Sequence, residues 1–98
     1  MTVFLNGRFL PKTEARISPD DRGFLFADGV YEVIRVYRGR LFEMEAHLKR
    51  LERSLRELRI HGAEAADFLG IAEALIERNN LGAADAIVYL QVTRGVAP

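Results

Sequence analysis

The chain has 98 residues, 14 Lys plus Arg balanced by 14 Asp plus Glu, 49% hydrophobic and 29% charged residues, and no cysteine. That composition specifies one soluble globular domain and excludes whole-chain disorder, a disulfide framework, a thiolate nucleophile and a cysteine-based metal site. No run approaches the roughly 18 apolar residues of a membrane span, and the first ten residues lack a signal-peptide pattern, so a reducing, cytoplasmic setting is expected, with no membrane partner.

Val3-Phe4-Leu5, the turn pair Asn6-Gly7 and Arg8-Phe9-Leu10 predict a hairpin, because Asn-Gly best tolerates the positive φ angles of a type I′ turn. Residues 12–19 are polar apart from Ile17. Asp20 to Gly29 is rich in turn formers and reads as a loop of fixed shape whose large residues, Phe24, Leu25 and Phe26, are expected to be buried. Val30 to Tyr37 is a β-branched and aromatic run, with Tyr31, Val33, Arg35 and Tyr37 on one face and Glu32, Ile34 and Val36 on the other. Arg38-Gly39 turns the chain into a return strand, Arg40 to Phe42.

Leu48, Leu51, Leu55 and Leu58 form an apolar stripe that predicts a helix over 44–60, ended by Gly62. Phe68, Ile71, Ala72, Leu75 and Ile76 predict a second helix over 65–79, stopped by Asn79, Asn80 and Gly82. Ala86 to Thr93 is apolar and β-branched enough to be a central strand, with Ile87, Tyr89, Gln91 and Thr93 on one face. The order ββ-ββ-αα-β predicts an α+β fold: an antiparallel or mixed sheet with two helices packed on it. His47 and His61 are too far apart to suggest zinc. The basic stretch 46–61 carries five cations against two carboxylates, but no nucleic-acid motif accompanies it, so a solvated helix face is expected there.

Taken singly, the residues that could carry chemistry have plain structural meanings: a turn before a strand, a strand aromatic, cations at a helix start. Taken together, Arg22-Gly23, Phe26, Asp28-Gly29-Val30-Tyr31-Glu32, Val36-Tyr37, Gly39, Phe42, His47-Leu48 and Arg50-Leu51 form a specific set, continued by Glu77-Arg78-Asn79 and Tyr89 to Gly95. This set resembles the small N-terminal domain of the class IV, fold-type IV aminotransferases, which use pyridoxal phosphate, and the resemblance runs from Phe4 to Pro98. Val30-Tyr31-Glu32-Val33 is most similar to the D-amino-acid aminotransferase branch, although Ala27 stands where that pattern has Gly.

The resemblance implies that Arg50 holds the cofactor phosphate, a role suited to a planar guanidinium with bidentate donors. His47, one helical turn earlier, shares its face and either supports Arg50 or packs independently. Tyr31 is implied at the substrate site. Tyr89 is implied near it as well, although on strand grounds a core position is the preferred reading. Implied partners are an amino acid, such as D-alanine, and a 2-oxo acid, in a homodimer, with no nucleic acid. The chain has only Lys12 and Lys49, and neither matches the lysine that carries the cofactor and moves the substrate proton in this family. Residues 1–98 are therefore expected to be one N-terminal domain, a fragment without catalytic residues of its own and inactive alone. An aminodeoxychorismate lyase or a branched-chain aminotransferase of the same class, and a non-catalytic α+β binding module, remain alternatives.

Overall fold

In the computed structural model, which describes residues 1–96, the chain forms β1 (Thr2–Leu5), β2 (Arg8–Pro11), a tight turn at Lys12–Glu14, α1 (Arg22–Phe26), β3 (Gly29–Tyr37), β4 (Arg40–Leu41), α2 (Met44–Glu57), α3 (Asp67–Arg78) and β5 (Ala86–Thr93). Ala97 and Pro98, where the resembling stretch ends, lie outside the described residues. The architecture is α+β with all strand pairing antiparallel, in two sheets, β1-β2 and β4-β3-β5.

The first hairpin turns where Asn-Gly allows it, with φ of 49° at Asn6 and 84° at Gly7. It docks on the end of α3. There the Asn79 amide accepts from the Thr2 backbone N–H at 2.8 Å and donates to the Thr2 carbonyl at 3.0 Å, and the Arg78 guanidinium lies 4.2 Å over the Phe9 ring.

In the larger sheet β3 is the central strand, and β5, expected to be central, lies at an edge. The apolar run of β5 misled because its two faces are apolar for different reasons. Leu90 belongs to the core and Val88 and Val92 pack half-buried against it, whereas Ile87 and Tyr89 are exposed. The core joins Ile34 and Leu90 of the sheet to Met44, Leu51, Leu55, Ile60, Ala65 and Ala72 of the helical layer. Leu58, expected on the buried stripe, lies beyond the last turn of α2 and is exposed.

The segment 20–29 differs from expectation in two ways. It contains a short helix, α1, capped by the Asp21 carboxylate, which accepts from the Gly23 N–H at 2.8 Å, and closed by Ala27 at φ 52°. Its Phe24, Leu25 and Phe26 are exposed rather than buried. The helix docks through its first residues, where Gly23 lies close against Thr93 and the Arg22 N–H donates to the Gly95 carbonyl at 2.9 Å, and the three large residues that follow project away from that contact.

Candidate functional site

Period-2 alternation in β3 sends Glu32 to the same side as Ile34 and Val36, the side covered by α2. A carboxylate on that face needs a cation, and α2 supplies two groups. Glu32 is buried, with 5% of its side chain exposed. The Arg50 Nε–H donates to Glu32 Oε2 at 2.9 Å, and Arg50 Nη2–H donates to Oε1 at 2.7 Å, a fork-on-fork pair. His47 Nδ1 lies 2.6 Å from the same Oε1. His47 and Arg50 thus share a helix face as their spacing predicts, and the structure brings both onto one carboxylate. The Arg50 hydrogen bond is the main cause that holds the Glu32 carboxyl below its ordinary range, opposed by burial and assisted by His47. The same bond is the main cause that raises Arg50. Arg50 nevertheless keeps 57% of its side chain exposed, so the guanidinium is anchored at one edge and open at the other.

The opposite face of the sheet is uncovered. Tyr31 is 63% exposed, and Val33, Tyr37, Ile87 and Tyr89 stand beside or across from it in the open. The Tyr31 and Tyr89 rings stack at 5.9 Å between centroids and 19° between planes. Tyr89 is 58% exposed, which overturns its preferred core reading, and its hydroxyl donates to Gln91 Oε1 at 3.1 Å. Tyr31 and Tyr89 therefore lie together on the open face, while His47 and Arg50 approach from the helix side.

Three residues with no role assigned from sequence take part in the surrounding structure. Glu32 is the hub of the ion cluster, and its signal was a carboxylate sharing strand parity with Ile34 and Val36. Asp28 and Arg94 form a second pair at 2.6 Å between Arg94 Nε and Asp28 Oδ2. Arg94 also donates to the Leu58 carbonyl at 2.7 Å and the Arg59 carbonyl at 3.3 Å, tying the end of β5 to the chain leaving α2. The Arg94 hydrogen bond to Asp28 holds the Asp28 carboxyl low. Neither Asp28 nor Arg94 had a local pattern to mark a pairing across 66 residues. Lys12 and Lys49 are both exposed, and Lys49 pairs with Glu45 at 3.4 Å. Among the described residues no helix is long and apolar enough to cross a membrane.

The family model for class IV amino-transferases matches residues 29–98. A D-alanine aminotransferase of Staphylococcus haemolyticus is 40% identical over 97 residues, covering 98% of this chain and 34% of that protein. Among solved structures, a hypothetical aminotransferase from Mycobacterium tuberculosis in its PLP-bound form superposes with a TM-score of 0.85 at 28% identity, over 99% of this chain and 34% of that one. A 4-amino-4-deoxychorismate lyase from Pseudomonas aeruginosa superposes with a TM-score of 0.73 at 34% identity, over 86% of this chain and 29% of that one. The chain spans about a third of the length of the curated relatives it matches.

Proposed function

The chain belongs to the class IV amino-transferases, and from that premise we propose that it is the N-terminal small domain of a pyridoxal-phosphate-dependent enzyme moving an amino group between a D-amino acid, such as D-alanine, and a 2-oxo acid. The observation that carries this reading is the guanidinium of Arg50, anchored at one edge by a buried carboxylate and open at the other. Such a donor set fits a phosphate: it is planar, permanently charged and still has N–H groups to offer. Pyridoxal phosphate, when bound, supplies an electron sink for negative charge developing at the substrate α-carbon. In this reading Arg50 holds the cofactor phosphate and His47 supports it through Glu32. Tyr31 lines the substrate site, where its phenol can donate to a carboxylate or a bound water, with Tyr89 stacked beside it.

The D-amino-acid branch is supported by the Val30-Tyr31-Glu32-Val33 run and by the similarity to D-alanine aminotransferases. The lyase reading is kept as a second one because of the similarity to the Pseudomonas enzyme. In this reading the proton-moving lysine lies outside these 98 residues, since neither Lys12 nor Lys49 matches the lysine of the family and the chain spans about a third of its relatives' length. The uncovered aromatic sheet face suits contact with the rest of the full-length protein and with a second copy in a homodimer.

The test uses the full-length protein with added cofactor. Pyruvate formed from D-alanine only when 2-oxoglutarate is present supports the D-amino-acid reading, whereas pyruvate released from aminodeoxychorismate without 2-oxoglutarate supports the lyase. Arg50→Ala is expected to weaken pyridoxal phosphate binding about ten- to a hundredfold, the range of a lost charge-assisted hydrogen bond. Equal affinities for wild type and variant remove Arg50 from the site. The 98-residue chain alone is expected to show no turnover above free cofactor.

A further inference from the structure

Glu32 occupies a place on β3 where an apolar side chain would complete the layer with Ile34 and Val36. A buried carboxylate there costs desolvation, and its charged partner is more than half in solvent, so the pair is a poor device for stability alone. What the pair does accomplish is geometric. Free, an exposed arginine samples many rotamers. Here Nε and Nη2 are both spent on Glu32, and Glu32 is itself held from a second direction by His47 Nδ1 at 2.6 Å. The donors left over are those of Nη1 and the outer hydrogen of Nη2, which lie side by side on the exposed edge of the guanidinium.

We propose that Glu32 is a positioning residue for cofactor binding: it clamps the inner edge of Arg50 so that the outer edge is fixed for the cofactor phosphate. The proposal rests on the phosphate role of Arg50 given above. It carries a consequence that separates it from simple charge attraction. Glu32 cancels the charge of Arg50, so if net charge governed the grip, removing the carboxylate would tighten phosphate binding. If fixed donors govern it, removing the carboxylate loosens the grip, because the arginine must then be ordered by the phosphate itself.

The experiment measures affinities of the full-length protein for pyridoxal phosphate and for pyridoxal, which lacks the phosphate, by absorbance and fluorescence titration. The proteins are wild type, Glu32→Gln, Arg50→Ala and the double variant. Glu32→Gln is expected to weaken pyridoxal phosphate about tenfold and to leave pyridoxal unchanged, and adding it to Arg50→Ala is expected to cost nothing further, since both act through one guanidinium. Tighter pyridoxal phosphate binding in Glu32→Gln overturns the proposal, as does an equal loss for both ligands or a full further loss in the Arg50→Ala background. Should Arg50→Ala itself have no effect, the phosphate reading of Arg50 fails first. A loss in Arg50→Ala with none in Glu32→Gln leaves that reading standing and removes only the positioning role. Should Glu32→Gln fold poorly, Arg50→Lys supplies the second arm: it keeps the charge without the fork and is expected to bind pyridoxal phosphate about tenfold more weakly than wild type. Wild-type affinity in Arg50→Lys overturns the proposal.

Discussion

On the helix side of β3, Ile34 sits in one cluster with Leu51 and Leu55, and Val36 is equally buried. On the alternate positions of the same strand, Tyr31, Val33 and Tyr37 stand in solvent, with Ile87 and Tyr89 of β5 on the same side. The two faces are made by alternate residues of the same strands, yet one is sealed by apolar contact and the other is left open. A strand this divided can keep its shape from one side while the other varies with function. Glu32 joins the two environments: it sits on the sealed side, and it holds Arg50, more than half of whose side chain is exposed.

The sharpest way to break the contrast is a truncation on each side. Ile34→Ala, at a site with no exposed surface, is expected to cost about 2–5 kcal/mol in urea denaturation, because it opens a cavity in the layer against α2. Val33→Ala and Tyr31→Ala, one and three strand positions away on the open face, are expected to stay within about 0.5 kcal/mol of wild type. A Tyr31→Ala loss as large as that of Ile34→Ala would show that the open face is covered in solution.

Acid sharpens the comparison at Glu32. Its carboxyl is held below the ordinary value of 4.5, chiefly by the Arg50 hydrogen bond. A depressed folded-state pKa adds stability that is present above the unfolded value and is lost as pH falls through the folded one. Stability measured by denaturant titration is therefore expected to decline as pH drops below about 4.5, and less steeply in Glu32→Gln. Some slope remains in the variant, because Asp28 is also held low by Arg94. Identical pH profiles would mean that the Glu32–Arg50 pair does not survive in solution.

Association tests the open side alone. The 98-residue chain is expected to self-associate at high micromolar concentration, through the uncovered face and the free edge of β5. Ile87→Lys, which places a charge among those apolar residues, is expected to shift sedimentation toward monomer with little change in melting temperature. A wild-type chain that is already monomeric would place the partner surface elsewhere.

Much of this was legible along the chain. The Asn6-Gly7 turn, the two amphipathic helices and the parity of β3 follow from residue periods that any local stretch reveals, and so does the shared face of His47 and Arg50. The phosphate role expected of Arg50 and the substrate-site role expected of Tyr31 came from family resemblance instead; the geometry adds the Arg50–Glu32 fork and the exposure of Tyr31 beside Tyr89. Periodicity sorts residues into faces, but it does not name what each face meets. That β5 lies at an edge, that Phe24 and Phe26 are exposed, and that Tyr89 stands in the open beside Tyr31 depended on which surfaces the topology covered. The pairings of Glu32 with Arg50 and of Asp28 with Arg94 likewise join residues distant in sequence, 18 and 66 positions apart. Such contacts arise only when the packed core brings β3, α2 and the end of β5 together, because the burial that makes a carboxylate seek its cation does not exist until the layers close.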